Sequence, residues 1–389
     1  MLSTKNRSVS LLAVSLGLAL FAGACGDDGG STAAATGSTA KTGTTKPAAS
    51  SGATAAPTTT VAPKVEVTGT LNASGATFPK GFYEVAIAEF KKAQPKATLT
   101  YAGGGSGKGR TDLQSQVVDW AGSDGLVKDA DKPNYKGGEF LYFPTVVAPI
   151  TVSYNLDGVD KLNLSAETVA KIFQREIKTW DDAAIVAENP DAKAKLTGNI
   201  TVAHRSDGSG TTENFTIYLN KSVGAGGTGV WKLKSGSTVE WPADTQAGNG
   251  NAGVAQIVKD TKGAIGYVDF SDAKATGLKF ASLKNKAGKF VAPSLDGASA
   301  AAEGATVNPD LSYDPLWADG DKAYPIAAPT WILAYVKQTD KAKGETLKTF
   351  LRFMLTDGQK LAPSIDYAPL PKGLDEKAIA QLDKLQIPV

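Results

Sequence analysis

From Val65 onward the apolar positions shift between a period of two and a period near 3.6, the signatures of strands and of helices. "VEVTGTLNAS" alternates as a strand, and "PKGFYEVAIAEFKKAQ" predicts a helix with Pro79 at its first position and a stop before Pro95. "ATLTYAG" reads as a strand, "GRTDLQSQVV" as a helix and "DWAGSD" as a short buried strand. The same alternation returns in the helix "SAETVAKIFQRE", the strand "NITVAHRS", a helix after Gly210 and the strand "AIGYVDF". Leu347, Phe350, Leu351 and Met354 stand at i, i+3, i+4 and i+7 and mark a helix that faces the core. Alternation without a repeat period predicts an α/β fold with largely parallel sheets, whose ligands bind at the carboxyl ends of strands.

Two apolar runs break this rhythm: "FLYFPTVVAPITVSYN", residues 140–155, and "YPIAAPTWILAYV", residues 324–336. Both exceed an average strand and carry internal prolines, which a central strand tolerates poorly. They read either as edge strands of one sheet or, better, as two crossings between lobes. The second reading puts residues 65–148 and 325–389 in lobe 1 and residues 149–324 in lobe 2, with a cleft between them.

The first 64 residues have a different character. Residues 1–24 hold Lys5 and Arg7, an apolar run from Val9 to Phe21 and then small residues. That is the pattern of a secretory signal, too short and wrongly flanked for a retained membrane span. The chain's only cysteine, Cys25, follows directly. Exported chains normally use cysteines in pairs, so a lone one at this place points to covalent attachment rather than to redox or metal chemistry. "FAGAC" resembles a bacterial lipobox, with Ala22 where Leu is commoner; the alternative is an ordinary secreted protein with a free thiol. Residues 25–64 would follow as a lipidated Cys and a disordered tether of Gly, Ser, Thr, Ala and Pro, with an r.m.s. reach of about 35 Å.

Charge narrows the partners. The chain has 41 Lys plus Arg against 39 Asp plus Glu, and loss of Lys5 and Arg7 with the leader leaves 39 of each. With no basic run either, a nucleic acid is not an expected partner. Nor is a metal: one histidine, one cysteine and scattered carboxylates give no ligand cluster at usable spacing.

Three loops, each between a strand and a helix, could hold an anion. In "NASGATFPKGFY", Thr77 and Phe78 precede a helix whose first N–H groups are unpaired and carry partial positive charge; simple capping by Thr77 is the plainer alternative. "YAGGGSGKGRTDL" offers Ser106 and several amides. It is neither a P-loop, which would need Gly at 102 and Ser or Thr at 109, nor a dinucleotide loop, which would need Gly at 108. The third, "HRSDGSGTTENF", sets Ser209, Gly210 and Thr211 at a helix start just after Arg205, whose rigid fork of donors suits a tetrahedral oxyanion. A His204–Asp207–Ser209 triad is a poor alternative. The three crowd one loop, the G-x-S-x-G elbow is not met, and strand alternation sends His204 and Arg205 in opposite directions.

Together with "VVDWAGSDG", "IKTWDDAAI", "GSTVEWP", "GNGNAGVAQIVKDTKGAIGYVDF" and "IDYAPLP", these loops resemble the phosphate-binding proteins of bacterial ABC importers, the receptors of the Pst system. The resemblance covers nearly all of residues 66–389. It implies a two-lobed periplasmic-binding-protein fold of type II, with mixed, mostly parallel sheets flanked by helices. It also implies a receptor, not an enzyme, that closes on inorganic phosphate and delivers it to a membrane permease. By motif match, Thr77, Phe78, Ser106, Asp124, Arg205, Ser209, Gly210 and Thr211 would bind the anion and Asp207 would pair with the arginine. Neither a catalytic residue, a cofactor nor a metal is implied; a monomer held to the outer face of the cell membrane through Cys25 is expected. Leu126 departs from the family, which usually has proline there. An exported phosphatase or other hydrolase using the same cradle is the alternative.

Overall fold

The computed structural model describes residues 66–389. The expected leader, lipid-bearing Cys25 and tether lie outside the described residues. The strands are β1 Thr70–Gly75, β2 Thr98–Gly103, β3 Trp120–Ser123, β4 Phe140–Tyr154, β5 Asn163–Leu164, β6 Thr201–Arg205, β7 Gln246–Gly248, β8 Ala264–Asp269, β9 Lys279–Phe280, β10 Ser282–Lys284, β11 Phe290–Val291 and β12 Ala327–Tyr335. The longer helices are α1 Lys80–Ala93, α2 Ser106–Gln114, α3 Ala166–Phe173, α4 Ala183–Glu188, α5 Gly210–Val223, α6 Gly250–Asp260, α7 Phe270–Thr276, α8 Leu295–Glu303, α9 Lys341–Leu355, α10 Asp357–Leu361 and α11 Leu374–Gln381.

Nine strands form one sheet, eight of them in the order β2-β1-β3-β12-β4-β8-β6-β7 and β9 branching off on β4; β11, β10 and β5 form a small second sheet. β1, β2 and β3 are parallel to one another, as are β6, β7 and β8. Antiparallel pairing enters where β4 and β12 join these two parallel sets. The fold is therefore two-lobed and α/β, with each half mostly parallel apart from the crossing strands and the antiparallel β10–β11 pair.

The two proline-bearing runs pair with each other, from Ala327 against Pro149 to Tyr335 against Phe140, and neither is an edge strand in the sheet order. Local geometry explains how they tolerate proline. β3 engages β12 only at Trp331–Leu333, so Pro329 opposes no ladder on that side. The register shifts between Thr330 and Trp331, which skips Thr145 beside Pro144. Pro149 is the last residue of β4 on β12, and Ile150 is the first on β8. Carbonyls on the open side of β4 are taken by side chains: Gln359 Nε2 donates to Thr145 O at 2.8 Å and Gln381 Nε2 to Tyr142 O at 2.7 Å.

Packing follows the sequence periods closely. Leu347, Phe350, Leu351 and Met354 of α9 are all buried, and Phe350 meets Phe90 of α1 edge-on with centroids 5.2 Å apart. Such a pair adds about 1 kcal/mol beyond the area it buries. Helix boundaries differ in two places. Pro79 is the cap of α1 rather than its first residue, and α2 starts at Ser106, inside the glycine loop, and ends before Gln116, whose φ is 60°.

Candidate functional site

β1, β2, β3, β6 and β7 all end at one place, and the turns that leave them carry a cluster of buried polar side chains, Ser106, Asp124, Arg205, Ser209, Thr211 and Asn251 among them. β1 delivers Thr77 and Phe78 to α1; β2 delivers Ser106 to the first turn of α2; β3 ends at Ser123 and delivers Asp124. From the other half, β6 ends at Arg205 and feeds Ser209, Gly210 and Thr211 into α5, while β7 feeds Asn251 into α6.

Direct bonds tie these turns to one another. Ser106 Oγ donates to Asp124 Oδ2 at 3.2 Å, and Thr330 Oγ1 donates to Asp124 Oδ1 at 2.7 Å. Arg205 Nε donates to Asp207 Oδ1 at 2.8 Å, its Nη2 to Asp207 Oδ2, and its Nη1 to Thr211 Oγ1 at 3.3 Å. Asn251 Nδ2 bridges Thr211 Oγ1 and Thr77 Oγ1, both at 3.2 Å. Tyr367 Oη donates to Phe78 O at 2.6 Å and fixes the first turn from behind. Among the described residues, the backbone N–H groups of Thr77, Phe78, Ser106, Gly210 and Thr211 have no protein acceptor, as expected of helix starts.

Two glycines are required by close approach. A Cβ on Gly210 would stand 2.4 Å from Ser106 Oγ and 2.6 Å from Asp124 Oδ2. Gly105, at φ +88°, faces Asp207 Oδ2 and Gly208 O at 2.2 and 2.5 Å from where its Cβ would be. The two halves thus meet backbone to backbone, and Gly107 N donates to Gly208 O at 2.8 Å.

Electrostatics separates the two acids. Burial pushes Asp124 up to about 7, against the opposing Thr330 hydrogen bond and then the charge of Arg205. Burial also acts to raise Asp207, but the Arg205 fork outweighs it and holds the carboxyl below the usual range. His204 is turned away from both: its ring stacks on Trp241 with centroids 5.1 Å apart, and Nδ1 lies 2.9 Å from Arg205 O. Burial lowers its pKa. Ser209 caps α5, its Oγ accepting from Thr212 N at 3.1 Å. Among the described residues no cluster of His, Cys, Asp and Glu could hold a metal ion, and no helix is long and apolar enough to cross a membrane.

All eight residues singled out from the sequence, and Asp207, lie on these joined turns. Sequence reasoning overlooked Asn251, Thr330 and Tyr367. The signals existed: Thr330 is the one aliphatic hydroxyl in the buried run "AAPTWILAY" and needs a partner there, and "GNGNAG" is a fourth strand-to-helix glycine loop.

Known proteins of this architecture carry related sequences. The PBP superfamily domain matches residues 31–358. The phosphate-binding protein PstS of Methanocaldococcus jannaschii is 37% identical over 328 residues, 78% of this chain and 82% of that protein. Phosphate-binding protein PstS 3 of Mycobacterium tuberculosis is 35% identical, covering 79% and 85%. Among solved structures, PfluDING, a high affinity periplasmic phosphate-binding protein bound with phosphate, superposes with a TM-score of 0.67 at 23% identity, covering 80% of this chain and 94% of that one. A phosphate-binding protein from Stenotrophomonas maltophilia gives a TM-score of 0.65 at 20% identity, covering 80% and 93%. The structures share the fold, and the sequence matches extend over most of both chains; this chain belongs to the PstS phosphate-binding proteins of the PBP superfamily.

Proposed function

We propose that the protein is an extracytoplasmic receptor that closes on inorganic phosphate and delivers it to the membrane permease of an ABC importer. Thr77, Phe78, Ser106, Asp124, Arg205, Ser209, Gly210 and Thr211 hold the anion, and Asp207 orients Arg205. The observation that carries this reading is the convergence of five unpaired backbone N–H groups with one guanidinium and one buried carboxyl. Hydrogen bonds to a charged group contribute roughly 1.5–3 kcal/mol each, so seven or eight of them, less ordering costs, support micromolar or tighter binding. Dipoles supply most of the attraction, which suits a site with a single cation.

Asp124 supplies selectivity. Phosphate brings a proton to the site and sulfate does not, so an ionised Asp124 accepts a hydrogen bond from the first and repels the second. An acceptor facing an acceptor costs on the order of a thousandfold in affinity.

The chain binds rather than catalyses. Ser209 Oγ is engaged as a helix cap and His204 stacks on Trp241, so that pair offers no nucleophile beside a base. We assign residues 65–148 and 325–389 to one lobe and residues 149–324 to the other, with the protein acting as a monomer. Cys25 carries the lipid that holds it to the outer face of the membrane, and Cys25→Ala should release the protein into the soluble fraction. Calorimetric titration with phosphate, arsenate and sulfate, alongside a p-nitrophenyl phosphate assay, tests the whole reading. Tight phosphate binding without turnover is expected, and turnover would overturn it.

A further inference from the structure

A charged pair outside the anion-binding residues spans the same cleft. Arg110 lies on α2, which packs on β1 and β3; Glu213 lies in the first turn of α5, which packs on β8 in the other half. Arg110 Nη1 meets Glu213 Oε2 at 3.2 Å, and both side chains are 16% exposed. The same Nη1 donates to Ser123 Oγ at 3.2 Å, and Ser123 Oγ donates to Gly125 O at 2.6 Å. The pair lies flat on the turn that carries Asp124. A Cβ at Gly125 would fall 2.1 Å from Glu213 Oε2 and 2.8 Å from Arg110 Nη1. From α5, Asn214 Nδ2 also donates to Asp124 O at 2.7 Å.

We infer that the Arg110–Glu213 pair is a cross-cleft clamp on the Ser123–Asp124–Gly125 turn, so that closing the cleft and positioning the selective carboxylate are one event. Arg110 is a positioning residue; it donates to the strand end beside Asp124 and to α5, and its bond to Glu213 can exist only when the halves meet. Its charge also opposes the effect of burial on Asp124. A pair this well covered is screened little by salt while the cleft is shut, and is hydrated once it opens. Its contribution therefore belongs to the dissociation rate. The inference rests on the assignment of Asp124 as a phosphate ligand.

The test is stopped-flow phosphate binding to the full chain, comparing the parent with Glu213→Gln, Arg110→Met and the double variant. Glu213→Gln keeps the side-chain size at a partly exposed position, so the fold stays out of the measurement. Each single variant should release phosphate about tenfold faster, with association changed less than about threefold. The double variant should release no faster than the faster single one. Unchanged release in both single variants, or fully additive effects in the double one, overturns the clamp. Asp124→Asn run in parallel tests the underlying assignment: if it keeps the parental phosphate-to-sulfate ratio, that assignment fails, whatever the clamp variants do.

Discussion

The two acids of the site differ in how they are held. Asp207 sits two residues from the guanidinium it grips, and both of its oxygens are engaged by Arg205. Asp124 is buried, receives only hydroxyl donors on its carboxylate, Ser106 and Thr330, and is pushed up to about 7 by burial. The first carboxylate is committed to a neighbouring cation. The second is poised between two protonation states, which suits the selective role proposed for it. Distance in sequence tracks this division: the orienting contact is local, and the selective one is assembled from three separate segments.

The largest effect should come from removing the cation that makes Asp207 harmless. Arg205→Ala leaves a part-buried carboxylate facing the anion, and phosphate affinity should fall by roughly a thousandfold or more in calorimetry. Adding Asp207→Asn should recover about tenfold; no recovery would mean that Asp207 does more than neutralise the arginine. Next, Asp124→Asn should lower the phosphate-to-sulfate ratio by on the order of a hundredfold while weakening phosphate itself far less.

Titration gives the next step down, and the signs are opposite at the two ends. Asp124 is raised, so its protonated form favours the phosphate-free fold; that contribution is complete below the ordinary carboxyl value of 3.8 and is lost as pH rises to about 7. Asp207 is lowered, so its contribution is present above the ordinary value and is lost only in acid. The melting temperature of phosphate-free parent relative to Asp124→Asn should therefore decline across that window by a few degrees. The groups facing Asp124 are Arg205, Arg110, Tyr83, Tyr101 and Tyr367, and none of the tyrosines ionises in that range. Sulfate binding should weaken by up to about tenfold per pH unit above 7, with phosphate spared because it brings its own proton. Smallest of all, His204→Phe keeps the stack on Trp241 and should shift affinity by less than about twofold.

What could be read in the sequence follows the range of the forces involved. The α9 stripe, the helix of α1 and the strand-to-helix turns at Thr77, Ser106 and Gly210 are local patterns, and local patterns are legible. The start of α2 was hidden because "GGGSGKG" reads as a turn, yet a helix start is where unpaired N–H groups are most useful. β5, β9 and β11 are two residues each, shorter than any period can register. Thr330 reaches Asp124 across 206 positions and Tyr367 reaches Phe78 across 289, contacts that only the folded topology creates.

The changeover in β4 has a mechanical meaning. A single strand is bonded to β12 as far as Pro149 and to β8 from Ile150, so the two halves are joined by a torsion bar and not by a slack loop. Proline has no N–H to lose at the point of twist, so rotating one half against the other breaks no ladder bond donated from residue 149. Such a joint resists splaying more than it resists twisting, so any rotation of one half against the other is guided about the line of β4.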